Sequence, residues 1–183
     1  EWSTATFRER FADRAREIAL RYEGQIAAYE IWNEENLSNV RIDPEPYGAL
    51  LAETYTAIRE VDPETPVSIG GIGFAKSQEA DYLRGVYQSS AVQTFHAENG
   101  FYPFDIVSTH PSTFDRPPSE SLAGDIQQHV MNVMNEFGDS GKKIWVTAIG
   151  WNASPTHGAM RDDLAENEIN QGLYYTESLD ILS

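Results

Sequence analysis

"YEIWNEENL", residues Tyr29 to Leu37, sets an apolar run against a polar end. Tyr29, Ile31 and Trp32 read as part of a buried strand over 26–32. The chain then presents two amides and two carboxyls in a row, Asn33, Glu34, Glu35 and Asn36. Such an end cannot cradle a phosphate, which needs a glycine-rich turn and free backbone amides. A second stretch, "KKIWVTAIGW" (Lys142 to Trp151), has the same build, with Ala148 where a polar side chain is expected.

Outward from these two stretches, helix and strand patterns alternate. Phe7, Phe11, Ala15, Ile18, Ala19 and Tyr22 recur at spacings of three and four, which predicts an amphipathic helix over about 4–23, capped by Ser3 or Thr4. Pro44 or Pro46 opens the next helix, with Tyr47, Leu50, Leu51, Tyr55 and Ile58 near one face. "DPETP" (62–66) is a turn. "VSIGGIG" (67–73), "FDIVSTH" (104–110) and "KIWVTAIG" (143–150) are the further strands. Helices are expected at about 77–96, 119–137 and 162–182. One helix followed by four βα units predicts an α/β fold with a parallel sheet and helical crossovers. An open doubly wound sheet and a closed (β/α)8 barrel both satisfy this order. The first usually carries a glycine fingerprint after its first strand. "GGIG" at 70–73 has no such frame and is expected to form a tight turn at the strand end.

The bulk numbers narrow the partners. The 183 residues suffice for a single domain spanning 1–183, and 40% hydrophobic with 23% charged residues fits a globular chain. A net charge of −16 repels nucleic acid and anionic membrane surfaces, whereas neutral ligands such as sugars meet no penalty. There are no cysteines, so disulfide and thiolate chemistry are excluded. No apolar run approaches the roughly 20 residues of a membrane span. The chain begins at Glu1 rather than Met, so we expect an upstream segment removed by processing or by design.

In α/β barrels the chemistry collects at the carboxyl ends of the strands. Here those ends offer Asn33 and Glu34, then Gly70, Gly71 and Phe74, then His110, Ser112 and Phe114, then Ala148 and Trp151. A carboxylic acid, amides, an imidazole and aromatic faces around one cleft suit a carbohydrate. Glu35 is expected to face solvent or cap a turn. Trp32 and Trp145 are expected to pack, and Tyr102 is a cleft candidate beside Phe74 and Phe114. Asp105 sits at a strand start, the wrong end for catalysis. His157 and Asp162 follow the last strand, and neither is expected to act alone. The histidines His96, His110, His129 and His157 lack metal-ligand spacing, so neither a metal nor another cofactor is expected. No GxSxG elbow is present.

These motifs resemble the clan A glycoside hydrolases, retaining β-glycosidases on (β/α)8 barrels, with family 39 and family 5 nearest in tone. "EIWNEEN" is similar to their WNEP-type strand-four end, "DIVSTHPS" to their sixth strand, and "WVTAIGW" to their strand-seven "WVTEIGW". "FRERFADRAREIALRYEGQIAAYEIWNE" resembles the helix that leads into strand four. The resemblance covers nearly the whole chain and implies a TIM-type parallel β/α barrel, incomplete or reduced, with strands four to seven present. It implies Glu34 as the general acid/base, Asn33 as the amide on the sugar 2-hydroxyl, position 148 as the nucleophile, His110 beside it, and Trp151 lining the cleft with Phe74 and Phe114. Glu35 stands where the family has proline, and Ser112 where it often has tyrosine.

The implied reaction is retaining hydrolysis of β-linked glucan or xylan-type oligo- or polysaccharide. That mechanism sets two carboxyl groups about 5–5.5 Å apart, one protonating the leaving oxygen and the other attacking the anomeric carbon. Ala148 cannot attack. It is explained by a replacement made to trap a substrate, or by a natural pseudoenzyme that binds sugar without cleaving it. The absent strands are explained by a longer protein, a reduced barrel, or pairing with a second copy. An open-sheet binder of another neutral metabolite is the remaining alternative.

Overall fold

The computed structural model describes residues 4–38, 41–74, 78–113, 116–151 and 168–183. The strands are β1 (Tyr29–Asn33), β2 (Val67–Gly73), β3 (Ile106–His110) and β4 (Lys143–Val146). The helices are α1 (Ala5–Arg21), α2 (Pro44–Arg59), α3 (Gln78–Gln88), α4 (Ser90–Asn99), α5 (Pro118–Ile126), α6 (Asn132–Glu136) and α7 (Glu168–Leu182). All four strands are parallel and lie in the order β1-β2-β3-β4. A doubly wound sheet reverses its strand order at a switch point. This sheet does not reverse, so it is an open segment of a β/α barrel.

One face of the sheet carries the apolar core. Ile31, Val67, Ile69, Ile72 and Val107 pack with Tyr47, Leu50, Leu51 and Ile58 of α2 and with Tyr82, Leu83 and Val86 of α3. The other face carries small and polar groups. The Ser68 and Ser108 hydroxyls meet there at 2.6 Å, and Trp145, the register partner of Ser108, stands beside them. At the amino ends of the strands, Arg59 donates to the Pro63 carbonyl at 2.9 Å and the Thr65 carbonyl at 2.7 Å, and pairs with Asp105. Asp105 also accepts the Val67 amide at 2.8 Å. Asp105 therefore ties strand starts together, at the end away from the chemistry. Tyr102 is also at this end, 5% exposed and edge-on to Tyr87 at 4.8 Å, so it is a core residue.

The elements differ from expectation at four places. The helix expected over 77–96 is two helices, because Ser89 starts α4 and its side chain is tucked where Gly48 of α2 leaves room. A Cβ on Gly48 would lie 1.9 Å from the Ser89 hydroxyl. The helix expected over 119–137 contains a π-helical turn, Gln127–Met131, that turns both His129 and Val130 inward. β4 stops at Val146. Beyond it the Thr147 amide bonds the Thr109 carbonyl at 3.3 Å, and 148–150 take no regular form. The last helix is present as expected over Glu168–Leu182, and 162–167 lies outside the described residues.

The fourth difference is the largest. Gly70 and Gly71 form no turn; they lie inside β2, fully enclosed. Four residue steps on β2, Ser68 to Ile72, answer three on β3, Ile106 to Thr109. The extra residue is a β-bulge, which flips the alternation of facing. A Cβ on Gly70 would sit 2.3 Å from Glu35 Oε2 and 2.8 Å from the Ile31 carbonyl, and one on Gly71 would sit 2.0 Å from His110 Nε2. The glycines are therefore vacated space for two other side chains. Replacing Gly70 by Ala is expected to cost about 1–3 kcal/mol in urea unfolding. Gly124→Ala in α5, where nothing lies within 4 Å, is expected to be neutral or to stabilise by up to about 1 kcal/mol.

Candidate active site

The four polar residues that end β1 take four separate roles. Asn33 is exposed at the strand end, paired in register with Gly71. Glu34 turns its carboxylate across the sheet to His110, with Oε1 3.0 Å from Nδ1. Glu35 goes the opposite way and is fully buried. Asn36 locks the segment to β2, donating to the Gly73 carbonyl at 2.6 Å and accepting its amide at 2.8 Å.

This division of directions needs unusual backbone. Trp32 has φ +79° and Glu34 φ +52°. Positive φ on a residue with a bulky side chain is an outlier that costs about 1–3 kcal/mol. At Trp32 it turns the indole to the helix layer, where it meets Phe11 at 5.8 Å and Phe7 at 6.4 Å. Aromatic packing and the Asn36 clamp offset the strain and leave Asn33 and Glu34 at the rim.

His110 ends β3 and joins two strand ends. Its Nε2 lies 3.0 Å from Thr147 Oγ1, so the ring spans from β1 to the residue just past β4. Its side chain is 10% exposed and that of Glu34 33%. Ala148 is exposed, one residue beyond Thr147. His110 thus brings Glu34 and the residue preceding position 148 to one imidazole. Thr147 was not singled out from sequence. Its register was the available signal: with Trp145 facing the polar side, residue 147 faces it too.

The aromatic candidates are placed differently. Trp151 is 8% exposed. Its indole N–H donates to Thr113 Oγ1 at 2.8 Å, and its ring packs edge-on against Tyr175 at 5.2 Å and Tyr174 at 5.7 Å. It joins the loop after β3 and the segment after β4 to α7. Phe74 stands edge-on to the His129 ring at 6.2 Å, over a cavity of about 10 Å³ lined by Glu79, Thr109, His110, Asp125 and His129. That space admits one water at most. His129 and Glu79, 3.8 Å apart and both buried, form a second imidazole–carboxyl pair behind His110. Phe114, His157 and Asp162 lie outside the described residues. Among the described residues no three metal-ligating side chains converge. A surface groove of about 1020 Å³ runs between α1, α2 and α4, lined by small and charged residues such as Ala12, Ala52 and Glu60, away from the strand ends.

Glu35 corrects the expectation of a solvent-facing carboxylate. Neither of its oxygens has a hydrogen-bond partner. The neighbouring Tyr47 hydroxyl is engaged by the Ile31 carbonyl at 2.9 Å and the Gly70 amide at 2.8 Å. Burial pushes the Glu35 carboxyl up to about 8, with the charges of Glu30 and Glu34 adding to the effect.

No protein-family model and no curated protein sequence matches the chain. Solved structures do. A glucosidase from Croceicoccus marinus superposes with a TM-score of 0.69 at 13% identity, over 92% of this chain and 34% of that one. A GH10 xylanase from termite gut, which contains a bacterial Ig-like domain, gives 0.60 at 15% identity, over 94% and 42%. A GH2 β-galacturonidase from Eisenbergiella tayi, solved with galacturonate, gives 0.58 at 20% identity, over 96% and 27%. At these identities the likeness is one of fold. The chain spans between 27% and 42% of the length of these three structures.

The Glu35 carboxyl yields a pH prediction. It titrates near 4.5 when unfolded and near 8 when folded. Between those values the folded state holds the extra proton, so stability falls as pH rises from about 4.5 to about 8 and levels off above. Chemical denaturation at pH 5 and pH 8 is expected to show the native chain losing about 3–5 kcal/mol relative to Glu35→Gln over that interval.

Proposed function

We propose that this chain carries the active-site rim of a retaining β-glycosidase acting on β-linked glucan or xylan-type oligo- or polysaccharide. The observation that carries the reading is the His110 bridge. Its two 3.0 Å contacts hold Glu34 on β1 and Thr147 past β4 to one imidazole, which supports reading Glu34 and the neighbouring position 148 as parts of one site. The fold neighbours named as a glucosidase, a xylanase and a β-galacturonidase support it.

In this reading Glu34 gives a proton to the leaving glycosidic oxygen and later takes one from water. The exposed Asn33 holds the hydroxyl next to the anomeric carbon. A carboxylate at 148 attacks that carbon and forms a glycosyl-enzyme. With alanine at 148 the attack is lost and the site binds sugar without turnover. The rest of the cleft wall would come from a longer chain or from a second copy.

The test is Ala148→Glu. The restored protein is expected to release the chromophore from aryl β-glycosides at least a hundredfold faster than the alanine form. The alanine form with azide is expected to give a glycosyl azide of inverted configuration. A protein that stays inert after Ala148→Glu while still binding oligosaccharide in calorimetry is a carbohydrate-binding module, and the hydrolase reading fails.

A further inference from the structure

We propose that Glu34, His110 and Thr147 form a hydrolytic triad, with Thr147 as the nucleophile toward small acyl esters. The contacts have the polarity that such a triad needs. An ionised carboxylate only accepts hydrogen bonds, so Glu34 Oε1 fixes the proton on His110 Nδ1, 3.0 Å away. That leaves the Nε2 lone pair to accept from the Thr147 hydroxyl, also at 3.0 Å. Both distances lie within proton-transfer reach, and nucleophile, base and orienting acid come in the order that recurs on unrelated folds.

Three further features favour turnover. Thr147 is exposed, so an ester can reach it, while the base behind it is largely enclosed. Gly71 leaves the space that the imidazole occupies, which holds the ring in place. Among the described residues the amides of Ala148, Ile149 and Gly150 make no hydrogen bond, and the first of these follows the nucleophile directly. Such free N–H groups are the donors that a tetrahedral oxyanion requires. GxSxG elbows build this arrangement at a strand-to-helix turn. Here it arises across three strand ends, which is why no local motif announces it.

The chemistry balances without a co-reactant other than water. Thr147 Oγ1 attacks the ester carbonyl as its proton passes to His110 Nε2. The tetrahedral intermediate collapses, the bond to the alcohol oxygen breaks, and His110 returns the proton to that oxygen. Water, deprotonated by the same nitrogen, then cleaves the acyl-threonine and regenerates the hydroxyl. Glu34 accepts the Nδ1–H bond throughout, orienting the ring. The inference is independent of the glycosidase reading, since it needs no carboxylate at 148 and uses Glu34 as an acceptor instead of a proton donor.

The full chain is treated with diisopropyl fluorophosphate and mapped by peptide mass spectrometry, and its hydrolysis of p-nitrophenyl acetate is followed against pH. The expected results are a phosphoryl adduct on Thr147 and a rate that rises through a single ionisation. Thr147→Val and His110→Asn, each checked for unchanged circular dichroism, are expected to lower the rate about a hundredfold, and the His110 variant to lose the ionisation. Thr147→Ser is expected to retain both adduct and rate. Labelling elsewhere than residue 147, or undiminished hydrolysis by Thr147→Val, overturns the proposal. Aryl-glycoside cleavage by the Ala148→Glu protein is read separately, so either reading can fail alone.

Discussion

The bulged glycine pair in β2 is the constraint on which the site depends. Gly70 faces the helix layer and leaves room for the Glu35 carboxyl. Gly71 faces the polar side and leaves room for the His110 ring. An ordinary strand alternates its facing residue by residue, so two consecutive vacancies on opposite faces are its simplest way to admit a side chain on each side at one level. The bulge then resets the register, so that Gly73 pairs with His110 and Ile72 returns to the core. Neither glycine adopts positive φ. They are required here for what they lack in volume, not for conformational freedom.

That opening explains why the end of β1 tolerates a poor backbone. The chain must send Trp32 inward, Asn33 and Glu34 to the rim and Glu35 inward again within four residues. Regular alternation cannot do this, and positive φ at Trp32 and Glu34 accomplishes it. The costs are met locally by the Phe7–Phe11–Trp32 cluster and by Asn36, whose amide pairs with both backbone groups of Gly73. Glu35 adds a further cost, a buried carboxyl without a hydrogen-bond partner. A proline at 35 would bury no charge. The carboxyl makes the segment that presents Glu34 sensitive to pH, because ionising Glu35 places charge beneath it in the core.

Much of the architecture was legible in the residues. Apolar spacing located the helices, and the alternation of elements required parallel strands with crossovers. The choice between an open doubly wound sheet and a barrel segment rested on motif likeness, and the unreversed strand order decides it on geometry. The rim positions of Glu34 and His110 followed from strand ends. The failures share a cause. Gly70 and Gly71 read as a turn because glycine usually marks one, and nothing local reveals that side chains 35 and 110 fill the space above and below. Glu35 read as exposed because an unpaired carboxyl seldom goes inside. The bond from the Trp151 indole to Thr113 was unforeseen because its partner is remote in sequence. Each depends on a contact between elements, which periodicity does not encode.

The two chemistries proposed for the rim share Glu34 and differ in what stands at 148. His110 has two ring nitrogens, and both are engaged: one by Glu34, the other by Thr147. A carboxylate at 148 would stand next to Thr147 in the chain, on the Nε2 side of the ring, and offer the Thr147 hydroxyl a stronger acceptor than the imidazole. The threonine hydroxyl would then lose its base, and the proposed double displacement would gain its attacking carboxylate. With alanine at 148 that competitor is gone, and the carboxylate–imidazole–hydroxyl chain closes. If both proposals hold, a single exposed side chain two residues past β4 would select which of the neighbouring groups is the nucleophile. The scaffold that makes the selection possible, the vacated β2 and the strained end of β1, is common to both.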